Sequence, residues 1–245
     1  MGETTQGMLA KANELFAQIA IAGPRPFHAS LGARSWLHPL RLVYFAQEVR
    51  RRREFLRDFG WAVPTKEALD AISHFAENRR VIEVGAGTGL WAYLLSASGV
   101  SITSTDDYSW VQTEELRTDR SPPSGFAVEA GKFYPVERME AETAVLSHED
   151  HEVLMICWPP PRKAMAFDAT RLFTGDRLIF IGELSDTNGD AAFRDLLSLS
   201  WEREAIVEIP TWVTIHDAVH LFVRRDLAWA AAGEDRLPNP HLRSE

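Results

Sequence analysis

Val81-Ile82-Glu83-Val84-Gly85-Ala86-Gly87-Thr88-Gly89 is the stretch that decides the fold. An apolar strand carrying one acid runs into three glycines spaced G-x-G-x-G, and the apolar helix Leu90-Trp91-Ala92-Tyr93-Leu94-Leu95 follows at once. Glycines let a backbone turn tightly and come close to a ligand. The helix start beyond them offers free N–H groups to an anionic or polar ligand part. The dinucleotide fingerprint G-x-G-x-x-G asks for glycine where this chain has Leu90, so a nicotinamide-dinucleotide loop is the poorer fit. Asp106 follows Gly89 by 17 residues and ends the next strand. A carboxylate there can accept both hydroxyls of a ribose. Asp107 is the one-residue alternative.

Outward from this stretch, strands and helices alternate. RRVIEVG, VSITSTD, FYPVERM, EVLMICW and DRLIFIGE read as five strands, the third of them weak. GLWAYLLSASG, EAETAVLSH, KAMAFDATRLF and DAAFRDLLSLS read as helices around them. Such alternation predicts a parallel sheet with helices on both faces. WEREAIVEI and AVHLFVRR have no helix between them, so they are expected to pair antiparallel. The stretch from Asp107 to Gly131 is poorly patterned. Upstream, two helices are expected, over 3–21 and from Pro39, with the break at Gly23 to Pro26. Leu42, Phe45, Val49, Leu56 and Phe59 fall on one face of the second. The run Arg50 to Arg53 on that helix reads as a solvated face, offset by Glu48, Glu54 and Asp58, rather than as a phosphate clamp. Three units result: a helical cap or lid over 1–60, an α/β domain over 61–226 and a loose tail over 227–245.

The chain of 245 residues has 26 Lys+Arg against 35 Asp+Glu, a net charge of −9. A broad nucleic-acid interface calls for the opposite sign, so a small-molecule or peptide substrate is expected instead. Cys157 is the only cysteine, which excludes an internal disulfide and a cysteine-based zinc site. No apolar run approaches the roughly 18 residues of a membrane span, and the first residues lack a signal core. A soluble, cytoplasmic protein with no membrane contact is expected.

The segment Glu-Val-Gly-Ala-Gly-Thr-Gly, with an acid ending the next strand, resembles the class I S-adenosylmethionine (SAM)-dependent methyltransferases. The resemblance covers residues 61 to 225. It implies a Rossmann-like α/β fold, a mostly parallel seven-stranded sheet with an antiparallel last strand, and SAM as cofactor. It implies that Glu83 lies near the methionine part of SAM, that Gly85, Ala86, Gly87 and Gly89 pass the methionyl and ribose portion, and that Asp106 or Asp107 binds the ribose. Glu140, followed by Ala141, is the nearest match to the acid that meets the adenine amine. Cys157-Trp158-Pro159-Pro160-Pro161 looks like the Asn/Asp-Pro-Pro-aromatic signature of amino methyltransferases, with both ends changed: Trp158 stands for the polar residue and Pro161 for the aromatic one. The Pro159 carbonyl keeps an acceptor, but N-methylation does not carry over. Trp158 reads either as a platform for a planar substrate or sulfonium or as a core residue wedged by prolines. WAVPTKEAL, ICWPPP, IFIGE and IPTWVTIHDAVHLFVRR also look like a less-described methyltransferase-like group that supplies no substrate.

Three functions follow as expectations: methyl transfer to a small molecule or peptide group, cyclisation or cleavage of the aminocarboxypropyl arm of SAM, and non-catalytic binding on a degenerate methyltransferase fold. Beside Trp158 and Pro159, Glu183 at the end of the fifth strand and His216 near the last strands are candidate catalytic groups. Asp217 follows His216, but neighbours on an extended chain face opposite ways, so the two are no ready-made dyad. Trp61 to Thr65 reads as a lid over the cofactor or as a linker with a helix cap. Tyr108 and Trp110 are candidates to sandwich adenine. His148 and His151 bracket two acids without a third histidine or cysteine, and no metal is expected.

Overall fold

The computed structural model describes residues 5–24, 39–109 and 131–225. Its helices are α1 (Thr5–Ala22), α2 (Pro39–Asp58), α3 (Lys66–Ala76), α4 (Leu90–Ala97), α5 (Ala141–Ser147), α6 (Met165–Leu172) and α7 (Ala191–Ser200). Its strands are β1 (Val81–Val84), β2 (Ile102–Asp106), β3 (Glu137–Arg138), β4 (Val153–Cys157), β5 (Arg177–Gly182), β6 (Trp201–Glu208) and β7 (Ala218–Arg224). One seven-stranded sheet has the order β3-β2-β1-β4-β5-β7-β6. β3, β2, β1, β4 and β5 are parallel, and β7 runs antiparallel between β5 and β6. This is the mostly parallel, Rossmann-like seven-stranded sheet expected from the sequence, with its reversed last strand.

The apolar runs are explained by two covered faces, which leave a parallel strand no solvent side. On β4, Val153 and Met155 join the core under α1, α3 and α4, while Leu154 and Ile156 join the core under α5, α6 and α7. β5 divides alike: Ile179 and Ile181 face the first layer, Leu178 and Phe180 the second. Ala12, Leu15 and Ile19 of α1, Phe55 of α2 and Phe59 just beyond it are buried in the first of these cores. The region expected as a cap thus packs on the sheet's own core. No described helix is long and apolar enough to cross a membrane.

Two expectations are corrected. The third strand shrinks from FYPVERM to Glu137 and Arg138, paired with Thr105 and Asp106. The reason is competition: the Phe133 N–H is taken by the Thr88 carbonyl at 2.9 Å, and the Tyr134 hydroxyl donates to the Ile102 carbonyl at 3.2 Å. On α2 the apolar face read from spacing is buried only in its C-terminal half, at Leu56 and Phe59. Phe45 is exposed, while Glu48, Phe55, Leu56 and Phe59 are buried. Arg51 explains the buried acid. Its guanidinium pairs with Glu48 at 3.0 Å and donates to the carbonyls of Ile21, Ala22 and Gly23. These are groups that a helix C-terminus leaves without intrahelical partners.

Candidate functional site

The sheet order reverses direction between β1 and β4, and a crevice beyond the carboxyl ends of the strands at such a reversal is where ligands of open α/β sheets bind. Glu83 lies on β1 just before the glycine turn. It is buried, and its Oε2 accepts the Ser104 hydroxyl at 2.8 Å from the residue paired with it on β2. Burial pushes its carboxyl up to about 8; the Ser104 bond opposes this and the Asp106 charge adds to it. Asp106, also buried, ends β2 and ties the turn together. Its Oδ2 accepts the Gly87 N–H at 2.8 Å and its Oδ1 the Tyr108 N–H at 2.7 Å. Asp107 is exposed and accepts the Ser109 N–H in a local turn.

What lies on the glycine turn leaves no mark in the local pattern of residues. Residues 131–134 return across it: the Gly131 N–H donates to the Gly87 carbonyl at 3.0 Å and the Phe133 N–H to that of Thr88 at 2.9 Å. The Phe133 ring lies parallel to Phe59 at 6.3 Å, and the Thr88 hydroxyl donates to the Phe59 carbonyl at 2.7 Å. Gly89 has φ +72°, and a Cβ there would stand 2.9 Å from Tyr134 Cβ and 3.0 Å from its carbonyl oxygen. The close approach that this glycine permits is therefore made by the chain itself. At Gly85 a Cβ would meet only the flexible end of Met165, at 2.8 Å.

On the other side of the crevice, β4 ends in Trp158, whose φ is +50°. Its N–H donates to the Ile181 carbonyl at 2.9 Å, and the Pro159 carbonyl accepts the Gly189 N–H at 3.2 Å. The indole of Trp158 stacks on that of Trp61, with ring centroids 5.1 Å apart and planes 19° apart. Above both lies Arg52, its guanidinium carbon 5.6 Å from the Trp158 ring centroid and 5.8 Å from that of Trp61. Asp217 completes the group. Burial raises its carboxyl to about 6; Trp158 and Arg52 oppose the shift, Glu183 adds to it and His216 opposes it. The Trp158 indole N–H points toward Asp217 without a well-aligned hydrogen bond, and Asp217 Oδ1 is buried with no hydrogen-bond partner.

The other expected residues fall as follows. Glu183 Oε2 accepts the His216 backbone N–H at 3.2 Å, and its own N–H donates to Asn188 Oδ1 at 2.7 Å. His216 is exposed where Asp217 is buried, the opposite facing expected of neighbours. The Thr65 hydroxyl caps α3 by accepting the Ala68 N–H at 3.1 Å. Glu140 is the exposed N-cap residue of α5, its side chain making no cap bond, and Ala141 is the first residue of that helix. The Tyr108 hydroxyl donates to the Val136 carbonyl at 2.9 Å; Trp110 lies outside the described residues. His151 is buried between Asp150 Oδ1 and the Thr103 hydroxyl, at 2.9 and 3.0 Å. Arg52 and Asp217 are the residues missed. Arg52 was hidden in an arginine run that reads as a solvent face, and Asp217 was visible only as a neighbour of His216.

No family model matches the chain, and no curated protein matches it. Solved structures are similar at the level of the backbone. One is magnesium protoporphyrin IX methyltransferase from Synechocystis PCC 6803 with bound SAM: 13% identity, 74% of this chain and 84% of that chain covered, TM-score 0.44. Another is the N-methyltransferase NodS of Bradyrhizobium japonicum, at 10% identity, 65% and 95% covered, TM-score 0.42. A protein of the NADB-Rossmann superfamily from Streptococcus agalactiae gives 12% identity, 68% and 71% covered, TM-score 0.42.

Proposed function

We propose that this chain is an enzyme that binds SAM at the carboxyl ends of β1 and β2 and transfers its methyl group to a small molecule or peptide group. The observation that carries the reading is the placement of two buried carboxyl groups, those of Glu83 and Asp106, on either side of a G-x-G-x-G turn at the reversal point of the sheet. The residues suit the ligand chemically. Asp106 is fixed by backbone N–H groups at the strand end where a ribose is read. Glu83 is a buried carboxyl whose ionised form a neighbouring cation would favour. When bound, SAM supplies an electrophilic methyl carbon on a good leaving group. The chain has to orient an acceptor and exclude water, which lowers the barrier without an obligatory acid–base pair. Trp61 and Trp158 offer apolar walls beside that edge.

Calorimetry with SAM and with S-adenosylhomocysteine tests the reading. Saturable binding of both is expected, and binding of neither would leave the non-catalytic reading in front. Mass spectrometry after incubation with SAM alone makes the second distinction. SAM is expected to survive intact, so that acceptor screening comes next; methylthioadenosine formed at turnover would move the assignment to cyclisation or cleavage of the aminocarboxypropyl arm.

A further inference from the structure

Arg51 and Arg52 are adjacent on α2 and are held in opposite ways. Arg51 is locked by Glu48 and three carbonyls of the α1 terminus. Arg52 lies over two indole rings, and its buried Nε has no hydrogen-bond partner among the described residues. Its charge faces Asp217, whose Oδ1 is likewise buried and without a partner among them. A cation has thus been placed among aromatic faces and a carboxylate without the directional bonds that would make it permanent.

We infer that Trp61, Trp158 and Asp217 form a binding site for an organic ammonium group, with Arg52 as its displaceable resident cation. The charges around it favour that ligand class. Asp217 and Glu183 are two carboxylates, and among the described residues Arg52 is the one arginine set against them; His216 faces the group from the exposed connection before β7. An anionic ligand reaching for Arg52 would stand beside both acids. An ammonium instead gains an indole face, which attracts cations through its quadrupole, and a charge-assisted bond to the open Oδ1. Arg52 is only partly buried and sits at the end of a long flexible stem, so it can swing to solvent as the ligand enters. Trp61 is 43% exposed, which leaves room for an aromatic or aliphatic body behind the ammonium. Trp158 directly follows β4, the neighbour of β1, so an amine is the class of acceptor we assign: the ammonium first gives a proton to Asp217 or to water, and the freed nitrogen lone pair then takes the methyl carbon as S-adenosylhomocysteine leaves. That last step rests on the methyltransferase reading; the amine site itself does not.

Three probes with one ring system separate the charges: tryptamine, its alcohol tryptophol and the acid indole-3-propionate, each titrated calorimetrically into the full chain. Tryptamine is expected to bind roughly tenfold more tightly than tryptophol, and the acid not measurably, since only the ammonium uses both the ring faces and the carboxylate. Asp217→Asn is expected to bring tryptamine and tryptophol to within about twofold of each other. Arg52→Gln is expected to strengthen tryptamine binding severalfold by removing the competitor. Equal binding of the three probes, preference for the acid, no binding of any, or weaker tryptamine binding in Arg52→Gln would each overturn the inference. Should Asp217→Asn fail to fold by circular dichroism, the probe ranking and the Arg52→Gln result still decide. Amine binding without SAM binding would sink the methyltransferase reading alone; SAM binding without amine binding would sink this one alone.

Discussion

Glu83 shows how burial turns one carboxyl into a pH-dependent part of the fold. Its ordinary value is 4.5 and its value in the folded chain about 8. Between the two the folded chain keeps a proton that the unfolded chain has lost, so stability falls as pH rises. Asp217, raised from 3.8 to about 6, acts in the same direction below pH 6. His220, lowered from 6.5 to about 4 mainly by burial, acts oppositely: its contribution is present above 6.5 and lost as pH falls through 4. Between pH 6.5 and 8 neither adds slope, and the raised Glu83 carboxyl does. Glutamine has the shape of the neutral carboxyl and nothing to ionise. Glu83→Gln is therefore expected to gain on the parent protein as pH rises from 6.5 to 8, by about 1–2 kcal/mol over that window, since each unit of displaced titration is worth about 1.4 kcal/mol. Thermal melting of both proteins at the two pH values checks it. A constant difference would mean that Glu83 is ionised in the folded chain.

At the scale of elements, the junction of β1 with α4 carries a test of residues 131–134. Gly89 and Gly99 both have positive φ, +72° and +92°, but a Cβ at Gly99 would meet nothing within 4 Å whereas one at Gly89 would press on Tyr134 backbone atoms. Alanine at either position is strained by about 1–2 kcal/mol. Gly89→Ala must also push residues 131–134 off the turn, and is expected to cost about 1–3 kcal/mol more than Gly99→Ala, measured from urea midpoints. Equal costs would mean that the segment yields freely. The same junction shows what a sequence reveals of elements. β4 was legible because Val153-Leu154-Met155-Ile156 is covered on both faces and has to be apolar throughout. α3 was legible because Thr65 is a local cap. The third strand was read too long because its length is set elsewhere, by Thr88 competing for the Phe133 N–H. The face of α2 was legible at Leu56 and Phe59 but not further up the helix, where the carbonyls of α1 draw Arg51, and Glu48 with it, inward. Neither effect leaves a period in the local sequence.

Over the whole molecule, the two halves of the crevice differ in how they are encoded. The glycine turn and Asp106 lie within 26 consecutive residues, 81–106, so their spacing alone announces them. Arg52, Trp61, Trp158 and Asp217 come from four separate places: α2, the link into α3, the end of β4 and the connection before β7. Only the sheet order, with β5 between β4 and the reversed β7, brings them to one edge. A ligand at that edge stabilises more than its own contacts, because α1, α2 and α4 share one core with the strands beneath. Binding to the folded state alone then raises the stability of the whole unit. At a hundred times its dissociation constant, S-adenosylhomocysteine is expected to add about 2.7 kcal/mol, or about 5–10 °C in the melting temperature of a chain of this size. Asp106→Ala leaves the Gly87 and Tyr108 N–H groups without their acceptor. It should melt lower without ligand, by about 1–3 kcal/mol for the unpaired donors, and gain little from the ligand. Differential scanning fluorimetry of both proteins, with and without S-adenosylhomocysteine, separates the two effects. An equal ligand-induced rise in both would place the nucleoside away from β2, and would leave Asp106 as a brace for the glycine turn and nothing more.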